Sequence, residues 1–345
     1  MVDSVLCSAS DVFSHGAWLD IESTEDPELK DLATVLPSIV MQEKAPATVK
    51  KYSGAFARWK RWASSRQGVS VLPAKPIYVA LYLSYLAQGA RRCAPLEEAV
   101  NALSWVHCMA TVEDITCHPL VVQVLAGTKR ILAHKTSKKE PITTDNLLAL
   151  VDRFGTKDAS LADIRALTFC LLGFTGFLRY DELSRLQVGD VTIHDDYMEL
   201  FIESSKTDQW RQGAWVVIAR TGTRLCPVTM VERYMNMAAI STHQDGFLFR
   251  GIVHTKNGSR LREKGSLSYT TVREAVLSKF EVIGLDKKQY GLHSLTAGGA
   301  SAAANAGVPN RMFKRHGRWR SENAKDGYIK DSLENRLQVL SLIHI

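Results

Sequence analysis

The chain has 345 residues, of which 46% are hydrophobic and 23% are charged. This composition excludes a largely disordered, collagenous or disulfide-stapled protein, and no apolar run approaches the ~18 residues that span a bilayer. The six cysteines show no paired spacing, which is typical of reduced thiols in an intracellular protein. The length indicates about two domains.

Positive charge is concentrated in one part of the chain. Lys plus Arg number 43 against 36 Asp plus Glu, which gives a net charge of +7. Residues 1–40 contain eight acids and one lysine, and we expect them to form an acidic, disordered tail. Residues 41–139 contain fifteen bases and five acids, an excess that attracts polyanions. For the charge alone, a solvated basic surface is an equal alternative.

Four helices are predicted in the basic part, and each has a proline at its start: 46–68, 76–88, 95–109 and 119–134. In the first, the spacing of Tyr52, Phe56, Trp59 and Ala63 gives one apolar stripe, which indicates core packing rather than a platform for bases. We therefore predict a compact helical DNA-binding clamp over residues 41–136. Its candidate DNA contacts, with two from the following linker, are Lys50, Lys51, Arg58, Lys60, Arg61, Arg66, Lys138 and Lys139.

A polar, basic segment at 135–141 ends in proline, which is typical of a linker. We therefore predict a second domain over residues 137–345. Strands with alternating apolar residues are predicted at 197–203 and 214–219, joined by a hairpin-like turn. The predicted helices of this domain are 147–154, 161–174, 180–186, 227–239, 270–280 and 294–306. The fold class is thus α+β, mainly α, with a small antiparallel sheet. The small-residue run at 297–306 favours close backbone packing and lacks phosphate-loop spacing.

Two stretches of the second domain are more specific than this outline. The first is Gly173-Phe-Thr-Gly-Phe-Leu-Arg-Tyr-Asp-Glu-Leu183. The second begins Leu292-His-Ser-Leu-Thr-Ala-Gly-Gly299 and continues as Lys314-Arg-His-Gly-Arg-Trp-Arg-Ser-Glu-Asn-Ala-Lys-Asp-Gly-Tyr328. From about residue 45 to its end, the chain resembles the tyrosine recombinases, which include phage integrases, Cre-type recombinases and recombinases of eukaryotic mobile elements.

The resemblance implies DNA strand breakage and rejoining in recombination or integration. A tyrosine attacks the scissile phosphate, a 3′-phosphotyrosyl bond forms, and a 5′-hydroxyl leaves, without metal or other cofactor. Arginine suits phosphate because its guanidinium donates two parallel hydrogen bonds and keeps its charge. By the resemblance, the catalytic residues are Arg179, Lys206 as general acid, His293, Trp319 and the nucleophile Tyr328, which we place on a C-terminal helix. Glu182 and His316 are supporting residues.

One position departs from the family pattern. The family has His-x-x-Arg, whereas this chain has Thr296 at the arginine position. Threonine offers one short neutral donor in place of a charged fork, and loss of one transition-state donor costs ~10²–10³ in rate. Three explanations stay open: an impaired copy of an element, a domesticated DNA-binding protein without catalysis, or an enzyme that uses Arg311, Arg315 or Arg318 instead.

The resemblance also implies partners and a location. We expect double-stranded DNA and a homotetramer assembled on it, with no membrane association. The tail 333–345 is amphipathic enough to dock on a neighbouring copy, and packing on its own domain is an equal alternative. The sequence of the motifs resembles most the recombinases of metazoan mobile elements, and we therefore expect a nuclear location. A type IB topoisomerase shares the chemistry, but the clamp is small and the motifs are nearer to recombinases.

Overall fold

The chain divides into two compact units, Met1–Thr136 and Ser137–Ile345. A computed structural model describes residues 12–134, 138–203, 212–241, 244–256 and 258–342. The fold class is as predicted, mainly helical with small antiparallel sheets. Among the described residues, no helix combines the length and the apolarity that a bilayer-spanning segment requires.

The described residues of the first unit form a bundle of five α-helices with short 3₁₀ turns. The helices are α1 (Pro27–Met41), α2 (Pro46–Ser64), α3 (Pro76–Gly89), α4 (Ala94–Met109) and α5 (Pro119–Ile131). The 3₁₀ turns are Val12–Ser14, Gly16–Ser23 and Ile115–Cys117. Each α-helix has a proline in its first turn, where the missing N–H costs nothing.

The predicted aromatic stripe of α2 forms core, as expected. Phe56, Trp59 and Ala63 are buried and Tyr52 packs against the same cluster. The indole N–H of Trp59 donates to the Val71 carbonyl oxygen at 2.9 Å, so burial leaves this polar group satisfied. The stripe is therefore not available as a surface for stacking bases.

The N-terminal segment differs from the disordered tail that its acids predicted. Residues 12–14, 16–23 and 27–41 are helical. Trp18 is buried, and its indole N–H donates to the Met109 carbonyl oxygen at 2.6 Å. The Asp26 side chain caps α1 by accepting from the N–H groups of Glu28 and Leu29. Local capping and one buried aromatic residue outweigh a charge count as predictors of order here.

The second unit contains nine α-helices among its described residues. They are α6 (Thr144–Phe154), α7 (Leu161–Thr175), α8 (Tyr180–Arg185), α9 (Pro227–Met237), α10 (Tyr269–Val282), α11 (His293–Asn305), α12 (Asn310–His316), α13 (Glu322–Asp326) and α14 (Leu333–Leu342). Eleven of the fifteen residues of α7 are buried, so this helix is the centre of the unit.

Two antiparallel sheets accompany these helices. The first has the order β1 (Val191–Ile193), β2 (Tyr197–Ile202), β3 (Ala214–Ala219). The second is a two-stranded ribbon of β4 (Arg250–Thr255) and β5 (Gly258–Ser266). The strands β2 and β3 match their predicted positions, whereas β1, β4 and β5 had no predicted counterpart.

The small residues of α11 allow its close approach to α7. A Cβ atom at Gly299 would lie 1.9 Å from the Phe174 carbonyl oxygen, and one at Gly298 would lie 2.2 Å from that of Ile142. These two carbonyl oxygens belong to the backbone and cannot yield as a flexible side chain could. The predicted role of the small-residue run in close packing is thus confirmed, and it sets the position of His293 and Thr296 at the start of α11.

A buried histidine makes the stability of the first unit depend on pH. His107 is fully buried; its Nδ1 donates to the Leu103 carbonyl oxygen and its Nε2 accepts the Ala74 N–H. Burial lowers the pKa of His107 below its ordinary value. The unfolded chain therefore binds a proton at higher pH than the folded chain does. The stabilisation is complete above about pH 6.5 and is lost as pH falls from there toward the folded pKa.

We expect thermal unfolding of the full chain, followed by tryptophan fluorescence, to occur at lower temperature at pH 5.5 than at pH 7.5. His107→Gln should unfold earlier at pH 7.5 and lose less on acidification, because glutamine does not titrate. His134→Gln, an exposed histidine in the same unit, is the control and should keep the wild-type pH dependence. An unchanged pH dependence in His107→Gln would contradict this account.

Candidate active site

A sharp connection between α7 and α8 places Arg179 at a helix N-terminus. Helix α7 ends at Thr175, and Phe177 adopts a left-handed backbone with φ of 50° before α8 begins at Tyr180. Arg179 is the N-cap residue of α8, and its backbone N–H donates to Glu182 Oε2 at 2.9 Å. The Arg179 side chain is only 12% exposed, so its direction is fixed by what surrounds it.

The carboxylate of Glu182 is buried between two guanidinium groups. Its side chain is 2% exposed. Arg179 Nη1 lies 3.0 Å from Glu182 Oε1, and Arg318 Nη2 lies 2.9 Å from Glu182 Oε2. A buried carboxylate is tolerated only when it is paired and hydrogen-bonded, and both oxygens meet that condition here. Glu182 therefore fixes the direction of the Arg179 side chain.

Arg318, which pairs with Glu182 through its side chain, has a left-handed backbone conformation that favours glycine. Its φ is 55°, a conformation that costs a non-glycine residue about 1–2 kcal/mol. Its Nη1 also donates to the carbonyl oxygens of Gly176 and His316, at 3.2 and 2.9 Å. Arg318 thus ties Glu182 to the chain that precedes Arg179. Among the three downstream arginines considered from the sequence, Arg311 and Arg315 are exposed on α12, and only Arg318 forms an ion pair within this cluster of described residues.

Tyr328 lies against Arg179 although 149 residues separate them. The Arg179 Nε–H donates to Tyr328 Oη at 3.1 Å, and the guanidinium carbon is 5.6 Å from the ring centroid. Tyr328 follows the short helix α13 in a turn, so its predicted placement on a C-terminal helix is wrong. The turn is held because Ser301 Oγ donates to the Tyr328 carbonyl oxygen and accepts the Lys330 N–H.

Trp319 forms the wall beneath this tyrosine. It is 4% exposed, and its ring lies 5.5 Å from that of Tyr328 and 5.7 Å from that of Phe177. Its indole Nε1 is buried and has no hydrogen-bond partner among the described residues. An unpaired buried donor is costly, and Trp62 and Trp105 also have one; of these three, only the Trp319 indole packs against the Tyr328 ring.

The start of α11 lies beside the same helix N-terminus. Thr296 is 1% exposed, and its Oγ1 donates to the carbonyl oxygen of Leu178, the residue before Arg179, at 2.9 Å. His293 is exposed at the first position of α11, one turn earlier. Position 296 is thus adjacent to Arg179, but its hydroxyl is used in a backbone contact.

The remaining predicted residues have different positions. His316 Nε2 donates to the Thr175 carbonyl oxygen at 2.7 Å, and the His316 ring lies edge-on to Phe177. Burial lowers the pKa of His316, despite the bond to Thr175 that raises it. These contacts make His316 a support for the α7–α8 connection. Lys206 lies outside the described residues.

The electrostatic environment favours a permanent cation at Arg179. Burial by itself would lower the pKa of this guanidinium, but the Glu182 charge and the hydrogen bond to Tyr328 raise the pKa above its ordinary value. For Arg318, burial dominates and lowers the pKa, against the opposing effect of Glu182. Among the described residues, no group of three or more His, Cys, Asp and Glu side chains could hold a metal ion.

Most of the predicted DNA-binding residues are exposed, and Lys60 is partly buried. In the first unit, Lys51 and Arg58 both form ion pairs with Glu98, and Arg66 lies over the Trp62 ring at 4.1 Å. In the second unit, the Lys139 ammonium donates to the Lys288 carbonyl oxygen. Sequence reasoning did not assign the Glu98 pairing, for which the spacing along separate helices gives no signal.

The chain is similar in sequence to proteins named as recombinases. No family model matches the chain. It is 28% identical to an integrase/recombinase xerD homolog of Selenomonas ruminantium over 306 residues, 86% of each chain. It is 23% identical to recombinase cre of Escherichia phage P1 over 333 residues, 91% of this chain and 92% of that one.

Solved structures show the same fold. A XerH site-specific recombinase bound to a difH substrate in a post-cleavage complex superposes with a TM-score of 0.60 at 13% identity, over 86% of this chain and 78% of that one. A lambda integrase dimer bound to a core site gives a TM-score of 0.54 at 14% identity, over 84% and 90%.

The ion pair between Arg318 and Glu182 should contribute to the free energy of unfolding. Arg318→Met removes one of two cations from a buried carboxylate, and we expect the free energy of unfolding to fall by about 3 kcal/mol. Arg315→Met, on an exposed arginine three residues earlier, is the matched control and should change it by less than about 0.5 kcal/mol.

The double variant Glu182→Gln with Arg318→Met tests whether the two side chains are coupled. In Arg318→Met the Glu182 carboxylate has lost one of its two cations, and Glu182→Gln removes that carboxylate charge. The free energy of unfolding should therefore fall less in the double variant than the sum of its falls in the two single variants. Urea unfolding of all four proteins measures this directly, and strictly additive losses would contradict the pairing.

Proposed function

We propose that this chain, which is related in sequence and fold to the tyrosine recombinases, binds double-stranded DNA and breaks and rejoins its strands through a 3′-phosphotyrosyl intermediate on Tyr328. The observation that carries the proposal is the contact between Arg179 Nε and Tyr328 Oη at 3.1 Å. A nucleophile and a phosphate-binding cation meet there in one partly buried site. Packing alone does not require a tyrosine hydroxyl to face a guanidinium that is already paired.

The reaction assigns a role to each side chain. The Tyr328 oxygen forms a bond to phosphorus and gives up its proton to solvent water, while the bond from phosphorus to the 5′-oxygen breaks and that oxygen gains a proton. Arg179 donates to the oxygens of the phosphorane, where preorganised donors stabilise developing charge. The unpaired Trp319 indole N–H supplies a further neutral donor. His293 assists phosphate and proton handling, and Lys206 delivers the proton to the leaving oxygen.

Glu182 and Arg318 position Arg179 for this reaction. They do not reach the phosphate in the proposal; they fix the guanidinium of Arg179 so that its Nε–H faces the tyrosine. Among the described residues, Arg311 and Arg315 form no ion pair with this cluster, and Arg318 is committed to Glu182. We therefore propose an enzyme with one phosphate-binding arginine, impaired relative to a site that has two.

A second function, DNA binding without catalysis, is favoured by Thr296 alone. Its buried hydroxyl is bonded to Leu178, so nothing at that position supplies the second cation. A domesticated binder would keep the fold and the basic surfaces while losing covalent chemistry. The two functions differ in one observable, a covalent bond between protein and DNA.

Partners and location belong to the same proposal. The solved neighbours include recombinases bound to DNA as a dimer and as a tetramer on a Holliday junction. We propose that this chain also works as an oligomer on duplex DNA, with integration or excision of a mobile element as its context. The nuclear, intracellular location stays a prediction from the motif wording.

Tyr328→Phe tests the nucleophile. Wild-type protein is incubated with a randomised pool of duplexes nicked near the centre, so that cleavage releases a short fragment and traps the intermediate. We expect a protein–DNA adduct that resists detergent in the wild type and is absent in Tyr328→Phe, because phenylalanine has no oxygen to bond phosphorus. Tyr290→Phe, a partly buried tyrosine of the same unit, is the control and should form the adduct. No adduct from wild-type protein that still binds the duplexes would establish the binder instead.

Thr296→Arg tests the assignment of the family's second arginine. The side chain at position 296 contacts Leu178, the residue before Arg179. An arginine there can reach the same phosphate as Arg179, so we expect the yield of adduct to rise by about tenfold or more. Thr296→Gln adds similar bulk without charge and should give no gain. Thermal unfolding verifies that both variants fold, since the site is buried. A folded Thr296→Arg with unchanged or lower yield would show that the position is misassigned.

A further inference from the structure

The ribbon of β4 and β5 is the least buried element of the second unit's sheets. Every described residue from His254 to Ser266 is exposed except Leu261. The register between the strands shifts sharply near Gly251, and Gly265 has φ of 91°, so part of β5 bulges from the ladder. Bulges of this kind redirect side chains away from the regular pleat.

Four exposed cations lie on this ribbon without an ion-pair partner among the described residues. They are Lys256, Arg260, Arg262 and Lys264, and the stretch from 254 to 266 contains a single acid, Glu263. Elsewhere in the unit, some exposed cations are paired, as Arg224 with Asp152 and Lys287 with Glu281, and the ribbon is distinguished by having four exposed cations close together in sequence. Cations that the protein leaves unpaired are those that an external polyanion can neutralise.

The Arg262 side chain crosses the ribbon at a glycine. A Cβ atom at Gly251 would lie 3.0 Å from Arg262 Cδ and 3.2 Å from Arg262 Nε. The stem of Arg262 therefore lies on the opposite strand, while the residue as a whole stays exposed. This packing restricts the guanidinium at little cost, because an arginine stem can cover backbone with its charged end in water.

The base of the ribbon is anchored beside the candidate active site. The hydroxyl of Tyr180, the residue after Arg179, donates to the Leu267 carbonyl oxygen at 2.7 Å, and the Tyr180 and Tyr269 rings meet edge to face at 5.1 Å. On the other strand, Arg165 donates to the Arg250 carbonyl oxygen at 2.7 Å. The ribbon is thus fixed at its base to the helix that presents the phosphate-binding arginine.

We propose that the β4–β5 ribbon is a DNA-binding arm that contacts the phosphates of duplex DNA beside the phosphate held at Arg179. The inference rests on the proposed function, because it takes DNA as the ligand of this unit. A strand advances ~3.3 Å per residue, so Arg260, seven residues from Leu267, reaches at most about 23 Å from the anchor. At ~3.4 Å per base pair, this places the contacts within about seven base pairs of the cut. A two-stranded ribbon also has the width that the major groove admits.

The test is the salt dependence of binding to a mixed-sequence duplex of about thirty base pairs, measured by fluorescence anisotropy. The variant Arg260→Gln, Arg262→Gln, Lys264→Gln removes three ribbon charges. The matched control removes three exposed charges of the same unit that also have no ion-pair partner among the described residues, as Arg153→Gln, Lys157→Gln, Lys288→Gln. A third protein, with Arg260→Lys and Arg262→Lys, keeps the charge and changes only its shape.

If the ribbon contacts phosphates, the ribbon variant loses up to about 0.9 per contact, or up to about 2.7 in total, from the slope of log K against log salt concentration. The control keeps the wild-type slope, and so does the lysine variant. At saturating protein the ribbon variant still forms the Tyr328 adduct, because Arg179 and Tyr328 are intact.

Two outcomes would overturn the proposal, and they are distinguishable from each other. If the ribbon variant and the control have the same slope and affinity as wild type, the ribbon is a solvated surface, and the function proposed for Tyr328 is unaffected. If wild-type protein shows no salt-dependent DNA binding at all, both the arm and the recombinase function fail together.

Discussion

The candidate site depends on one buried carboxylate. Glu182 sits between Arg179 and Arg318 with its side chain 2% exposed, and both of its oxygens are occupied by guanidinium donors. A buried carboxylate must be neutralised, so losing either cation would cost folding free energy, and both guanidinium groups are fixed in place. The Nε–H of Arg179 is then left to face Tyr328, and the tyrosine ring is backed by Trp319. Positioning at this site is therefore a consequence of charge burial.

Much of the fold was predictable, because helix and strand periodicity and proline starts are local signals. The predicted helices agree with the structure to within a few residues at most ends, and the aromatic stripe of α2 is core. The N-terminal segment and the β4–β5 ribbon were not anticipated. The acid count at residues 1–40 took no account of the Asp26 cap or of Trp18 as a core residue, and the polar sequence of β5 lacks the alternation that identifies a half-buried strand.

The site was only partly predictable. Motif resemblance nominated Arg179 and Tyr328, and the geometry brings them together, but no spacing rule connects residues 149 positions apart. Arg318 appeared from the sequence as one of three downstream arginines, and its direction depends on a left-handed backbone at residue 318 and on acceptors in the α7–α8 connection. Thr296 shows the converse: the sequence gives the residue type, but the hydrogen bond from its hydroxyl to the Leu178 carbonyl oxygen depends on how α11 packs beside the α7–α8 connection.

The account depends on which atom bonds to phosphorus. The most direct measurement is mass spectrometry of the trapped protein–DNA adduct after nuclease and trypsin digestion. The account predicts a nucleotide on the peptide Asp326–Lys330, which contains Tyr328 as its sole tyrosine. A nucleotide on any other residue, or an adduct that survives in a protein whose Arg179 is replaced by alanine with undiminished yield, would contradict it.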